Sequence, residues 1–196
     1  AIVDKVQGEL YRKKEDVELK FVLSYPEDEL HEKIAKYIAS DWKKLQVEVV
    51  LEPVPSDLFL SEKLDSRGFQ AALVDINLSQ TPDPDPYPFW DLGQAINGQN
   101  YTQWSNRFAS DSLEQARVTS DISERTRLYH NFQAIFAEEL PALPLYYPVY
   151  NYAVDKQIQG VTMGPLFDSS GRFASITKWF ITARASQETT ATPSSE

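Results

Sequence analysis

The sequence predicts an α/β fold, an open and mostly parallel sheet flanked by helices, and three observations carry that expectation. A period-two run at Val17, Leu19, Phe21 and Leu23 precedes a helical period over about 27–45. A second period-two run follows at once, at Val47, Val49 and Leu51. Strand, helix and strand with short links make a βαβ unit, whose strands run parallel. The third run, Phe69-Gln-Ala-Ala-Leu-Val-Asp-Ile76, is almost continuously apolar at its centre, as expected of a strand covered on both faces.

The elements follow in order. Ser24 precedes Glu27 by three residues, a capping-box spacing, and Asp28 and Glu29 add charge that a helix N-terminus favours. Leu30, Ile34, Tyr37, Ile38, Trp42 and Leu45 give the helix its apolar face. Pro53 and Pro55 end the second strand, Ser56 is placed to cap a short helix through Leu64, and Gly68 closes it. Thr81-Pro-Asp-Pro-Asp-Pro-Tyr-Pro-Phe-Trp90 packs four prolines, two acids and three aromatics into ten residues, which predicts a stiff, partly polyproline-like loop. A short helical segment near 89–96, a turn at Gly98 and a helix over about 108–118 come next. Asp121 and Glu124 form a second cap pair. They open a long helix marked by Leu128, Tyr129, Phe132, Ile135, Phe136 and Leu140, which Pro141 and Pro144 terminate. Residues 145–154 read as aromatic and extended, and 185–196 as a polar, disordered tail.

Composition narrows the function. The chain has 196 residues, 42% of them apolar, and a net charge of −10; its mean hydropathy is −0.42. That balance is ordinary for a globular domain, and the acidity argues against an extended nucleic-acid interface or an anionic membrane surface. The absence of cysteine excludes disulfides, thiol catalysis and thiolate-bound metals. No apolar run approaches the ~20 residues that span a bilayer. Ala-Ile-Val-Asp-Lys at the start is no signal peptide, and the missing initiator Met suggests a processed or truncated piece.

Ligands of open parallel sheets bind outside the carboxyl ends of the strands. Asn77, Leu78, Ser79 and Gln80 lie just past the third strand, and Tyr87, Phe89 and Trp90 offer flat apolar area beyond them. The bland reading of these rings is core packing, and residue by residue it carries more weight. Asp83 and Asp85 could form an acid–base pair, but acids two apart in such a loop tend to diverge. His31 and His130 read as solvated surface without metal-ligand spacing. No phosphate-cradling glycine loop, nucleophile elbow or EF-hand spacing is present.

Five segments in order resemble the second lobe of family 5 extracellular solute-binding proteins, the peptide and nickel class feeding ABC importers. They are Phe69–Val74, Asp83–Trp90, Asn100-Tyr-Thr-Gln-Trp-Ser-Asn106, Ser123–Tyr129 continuing to Glu138–Tyr147, and Ile158-Gln-Gly-Val161. The resemblance implies a periplasmic-binding-protein-like lobe of type II and a C-terminal fragment. Residues 1–16 would be a lead-in, 17–144 the second lobe, 145–184 the hinge crossing and return toward an absent first lobe, and 185–196 the tail. It implies capture of a peptide or similar small solute in an interlobe cleft, by a monomer with no chemistry, cofactor or metal of its own. Asn77, Ser79, Gln80, Asp83, Asp85, Tyr87, Trp90 and Trp104 would line this lobe's half of the cleft. ABC permease subunits would be the partners. Residence would be periplasmic or on the extracellular face of the membrane, anchored only through an absent N-terminus. Peptide-binding members commonly carry a Trp, then an Asp three residues later, before the loop. Those positions fall here on Asn77 and Gln80, both neutral amides, which leaves Asp83 or Asp85 to meet an amino terminus. The alternatives are a hydrolase using Asp83 and Asp85, and the ligand-sensing domain of a regulator.

Overall fold

A computed structural model describes residues 2–6, 9–14, 17–78, 84–164, 166 and 169–182. The chain forms two compact units, one of residues 1–77 and 85–143 and the other of 78–84 and 144–196.

The first unit opens with an antiparallel sheet of β1 (Ile2–Val6), β2 (Glu9–Lys14) and β3 (Val17–Glu18). The sequence marked none of this before Val17. Val17 pairs with Lys14 in this sheet and is 72% exposed, so it does not belong to the parallel strand its spacing predicted. Backbone bonds from Arg12 to Gln46 and from Leu19 to Arg12, both 2.8 Å, tie the small sheet to the main one.

The main sheet holds β4 (Lys20–Pro26), β5 (Glu48–Val54) and β6 (Ala71–Ala72), in the order β5-β4-β6 and all parallel. Between β4 and β5 runs α1 (Glu29–Lys44), which completes the expected βαβ unit. Side chains alternate across the sheet. Leu23, Tyr25 and Leu73 bury against Ala35, Ile34 and Ile38 of α1 on one face. On the other face Val54, Phe59 and Leu64 pack with Phe69, Ala72, Val74 and Tyr101. Apolar residues at both parities of 71–74 thus serve two cores, which explains the unbroken apolar run.

Three local expectations fail for identifiable reasons. Ser24 does not cap α1; it lies fully buried in β4 and donates to Glu52 Oε2 at 2.5 Å. Pro26 prolongs the extended strand, and the cap passes to Asp28, whose carboxylate accepts from the His31 amide at 3.0 Å. The helix expected from Ser56 to Leu64 is a turn followed by a π-helical stretch, Leu60–Asp65, with no side-chain cap. The third strand pairs over two residues rather than eight, because it is an edge strand and the Gln70 side chain takes the Val22 amide at 2.7 Å in place of a backbone carbonyl.

Past the sheet come α2 (Tyr87–Trp90), a 3₁₀ turn at Leu92–Gln94, α3 (Arg107–Val118) and α4 (Ile122–Glu139). Asn106 caps α3, and Asp121 caps α4 by accepting from the Glu124 amide at 2.8 Å, as the sequence pattern indicated. Leu140 turns left-handed (φ 48°) and Pro141 follows, which stops α4. Ala109, Leu113 and Phe132 form the core between α3 and α4.

The second unit contains the antiparallel pair β7 (Ile158–Gln159) and β8 (Phe180–Ile181), with 3₁₀ turns at Ser169–Phe173 and Ile176–Lys178 between them. Residues 145–154 form no regular element there, and Tyr147 and Val149 stand largely in solvent. The tail expected over 185–196 lies outside the described residues.

Candidate functional site

The carboxyl ends of β4 and β5 meet the first turn of α1, where the Glu27 amide donates to the Val54 carbonyl at 2.8 Å. His31 stands at this edge with its side chain only 12% exposed. Its Nδ1 lies 2.6 Å from Asp28 Oδ2 and its Nε2 3.2 Å from Asp75 Oδ2. The sequence reading placed His31 in solvent; two carboxylates, one from the helix cap and one from beyond β6, hold it in. The Asp28-x-x-His31 spacing was the available signal. The Asp28 carboxyl is held below the usual carboxylate range, first by the His31 backbone amide and then by the His31 ring. Burial raises the Tyr25 hydroxyl pKa beside it. A shallow cavity of about 330 Å³ opens here, lined by Tyr25, Glu27, Asp28, Glu29, Glu32 and Pro53. A larger one, about 530 Å³, lies between α3 and α4 and away from the strand ends.

The proline segment is not wholly polyproline-like. Pro86 is in the helical region (φ −80°, ψ −7°) and Tyr87–Trp90 make one helical turn. Proline is tolerated there because a first helical turn has no use for its missing N–H. The Asp85 carboxylate caps the turn: Oδ1 accepts from the Tyr87 amide at 3.0 Å, and Oδ2 lies 2.9 Å from Arg117 Nε on α3. The Arg117 guanidinium lies over the Tyr87 ring, 4.3 Å from its centroid. Nothing in the local sequence marks Arg117, which comes from 32 residues downstream of Asp85 (117 − 85).

Polar groups buried behind the turn anchor it. Asp91 Oδ1 accepts from the Gly93 amide at 2.8 Å, and Ser110 Oγ accepts from the Leu92 amide at 2.9 Å. Asn100, fully buried, donates to the carbonyls of Asp91 (3.1 Å) and Trp104 (2.8 Å), and its own oxygen accepts from Thr102 and from the Trp104 amide. Arg67 reaches across to the carbonyls of Ala95 and Gly98.

The structure brings together Asp85, Tyr87, Trp90 and Trp104 and leaves Asn77 exposed beyond β6. Ser79, Gln80 and Asp83 lie outside the described residues. Trp90 meets Phe136 edge-on at 4.7 Å, and Trp104 packs against Phe132 and Phe136. All three half-buried rings, Tyr87, Trp90 and Trp104, therefore contribute to the α3–α4 core. Among the described residues no cluster of three His, Asp or Glu could hold a metal ion, and no helix is long and apolar enough to cross a membrane.

No family model matches the chain. Individual proteins do. Oligopeptide-binding protein OppA of Bacillus subtilis is 32% identical over 150 residues, which are 74% of this chain and 26% of that protein. Dipeptide-binding protein DppE of the same organism is 28% identical over 146 residues, again 74% and 26%. Among solved structures, the oligopeptide-binding protein AppA from Bacillus subtilis, in complex with a nonapeptide, gives a TM-score of 0.68 at 24% identity. The match covers 92% of this chain and 35% of that one. DppA from Helicobacter pylori, in complex with the peptide STSA, gives 0.60 at 25% identity over 83% and 31%. The chain spans about a quarter of the length of the curated relatives it matches. These relatives are binding proteins rather than enzymes, and the parallel sheet with its flanking helices is the α/β architecture of their type II binding-protein fold. The chain belongs to the family 5 extracellular solute-binding proteins.

Proposed function

We propose that this chain is part of the substrate-binding component of an ABC-type importer and captures a peptide or similar small solute. It would supply the second, C-terminal lobe's half of an interlobe cleft. The observation that carries this reading is the 32% identity over 74% of the chain to a protein named for oligopeptide binding. The loop geometry is compatible with it. A capped turn backed by buried polar groups presents a preformed wall, and a preformed wall loses little entropy when a ligand arrives.

In this reading Asn77, Ser79, Gln80, Asp83, Asp85, Tyr87, Trp90 and Trp104 serve as this lobe's ligand-binding residues. Residues 17–144 make up the lobe, after a lead-in of 1–16. Residues 145–184 carry the hinge crossing and the return toward the first lobe, and 185–196 are the tail. Closure shifts in favour of the liganded state because the solute contacts both lobes only when they are closed. The protein works as a monomer with permease subunits, at the periplasmic or extracellular face of the membrane, and performs no chemistry. Asp85 has both oxygens engaged within the fold, which disfavours the hydrolase alternative built on Asp83 and Asp85.

The test is calorimetric titration of the complete protein with di- to pentapeptides, with product analysis by mass spectrometry. Saturable binding with peptides recovered intact is expected. Cleaved peptides, or no binding across the set, would overturn the proposal.

A further inference from the structure

The prolines of the 84–90 segment create a mechanical problem. Pro84, Pro86 and Pro88 have no amide, so no backbone ladder can hold the segment. Of the remaining amides, Tyr87 donates to Asp85 Oδ1 at 3.0 Å and Phe89 to the Pro86 carbonyl at 3.1 Å, both within the segment. Such local bonds shape the turn; its rings pack on the α3–α4 core and the Leu92 amide donates to Ser110 Oγ beyond it, which leaves the polar start of the turn, at Asp85, still to be fixed.

We propose that Arg117 is the positioning residue that fixes this turn to α3. Its Nε lies 2.9 Å from Asp85 Oδ2, and its guanidinium carbon lies over the ring of Tyr87, the residue whose amide donates to the same carboxylate. One side chain thus grips both the cap and the first residue of the turn. A guanidinium can do this because it is planar and its Nε–H is directional; an ammonium is a point charge that cannot do both. Arg117 sits in the last turn of α3, where the helix carbonyl end favours a cation, so its charge is compensated from both sides. A further consequence is that Asp85 serves the shape of the wall, and any charge offered to a solute comes from other groups.

The proposal rests on the cleft reading for its functional meaning, but its test does not. Amide hydrogen exchange is measured for Asp85, Tyr87, Phe89 and Trp90 in the full chain. Arg117→Ala is expected to speed exchange there by about 3- to 20-fold, as loss of one half-exposed ion pair and one cation–π contact implies, with α1 unchanged. Arg117→Lys is expected to recover only part of the protection, and it serves if the alanine variant does not fold. Exchange in this segment at the wild-type rate in either variant would overturn the assignment. In the complete protein, with trialanine as probe, Arg117→Ala is expected to weaken binding several-fold with only a small fall in Tm. Wild-type protein that binds no peptide would count against the importer reading, while the exchange data would still decide the role of Arg117.

Discussion

The indole of Trp104 donates to Glu139 Oε2 at 2.6 Å, joining the turn before α3 to the last residue of α4 across 35 positions of sequence. Glu139 Oε1 accepts from Asn106 Nδ2 at 2.7 Å, so one carboxylate secures both the turn and the cap of α3. Glu139 is exposed, which limits the strength of both bonds. Glu139→Ala is therefore expected to lower stability by about 1 kcal/mol and to shift Trp104 emission to the red. Denaturant unfolding followed by tryptophan fluorescence checks both; an unchanged midpoint would refute the bridge.

Asn100 makes four hydrogen bonds while fully buried. Asn100→Ala removes all of them and strands buried carbonyls, at an expected cost of about 2–4 kcal/mol. Asn100→Asp is expected to be at least as harmful, because it adds a buried charge close to Asp91. Thermal melts of the two variants decide the order.

Trp90 meets Phe136 edge-on, so Trp90→Ala is expected to cost about 2–4 kcal/mol from the α3–α4 core. Trp90→Phe keeps a ring and is expected to recover more than half. A melting temperature within a degree of wild type for the alanine variant would return Trp90 to a purely surface role.

Glu52 titrates below its ordinary value, chiefly because the Lys63 ammonium and then the Ser24 hydroxyl bind its carboxylate. A carboxyl whose folded pKa is depressed stabilises the fold in full above its unfolded pKa and ceases to do so as pH falls through the folded value. The stability gap between wild type and Glu52→Gln is thus expected to be widest above about pH 5 and to shrink below about pH 4. Urea titrations from pH 3 to 7 test it, and a gap that stays constant with pH would contradict it.

Period and punctuation made most of the fold legible. The 3.6-residue spacing in 30–45 and the alternation in 47–51 fixed a right-order βαβ unit, and Asp121 with Glu124 gave the start of α4. What stayed hidden was tertiary. Val17 alternates like a strand residue, yet backbone pairing with Lys14 takes it into another sheet. Ser24 has the spacing of a cap, yet Pro26 keeps the chain extended and hands the cap to Asp28. From sequence the chain past the third strand could be named as a candidate place for a site. The contacts that hold the region could not, because Arg117 and Glu139 reach Asp85 and Trp104 from distant positions that carry no local signal, and Asp75 meets His31 from beyond β6.

The central position of β4 dictates an order of assembly. Its bond to β5 at Ser24–Glu52 closes a separation of 28 residues, much of it already shortened by α1, whereas its bond to the third strand at Val22–Gln70 closes 48. Shorter closures cost less chain entropy and come earlier on the folding route. Mutations in Leu23 and Leu51 should therefore slow refolding in proportion to the stability they remove, while those in Leu73 should chiefly hasten unfolding.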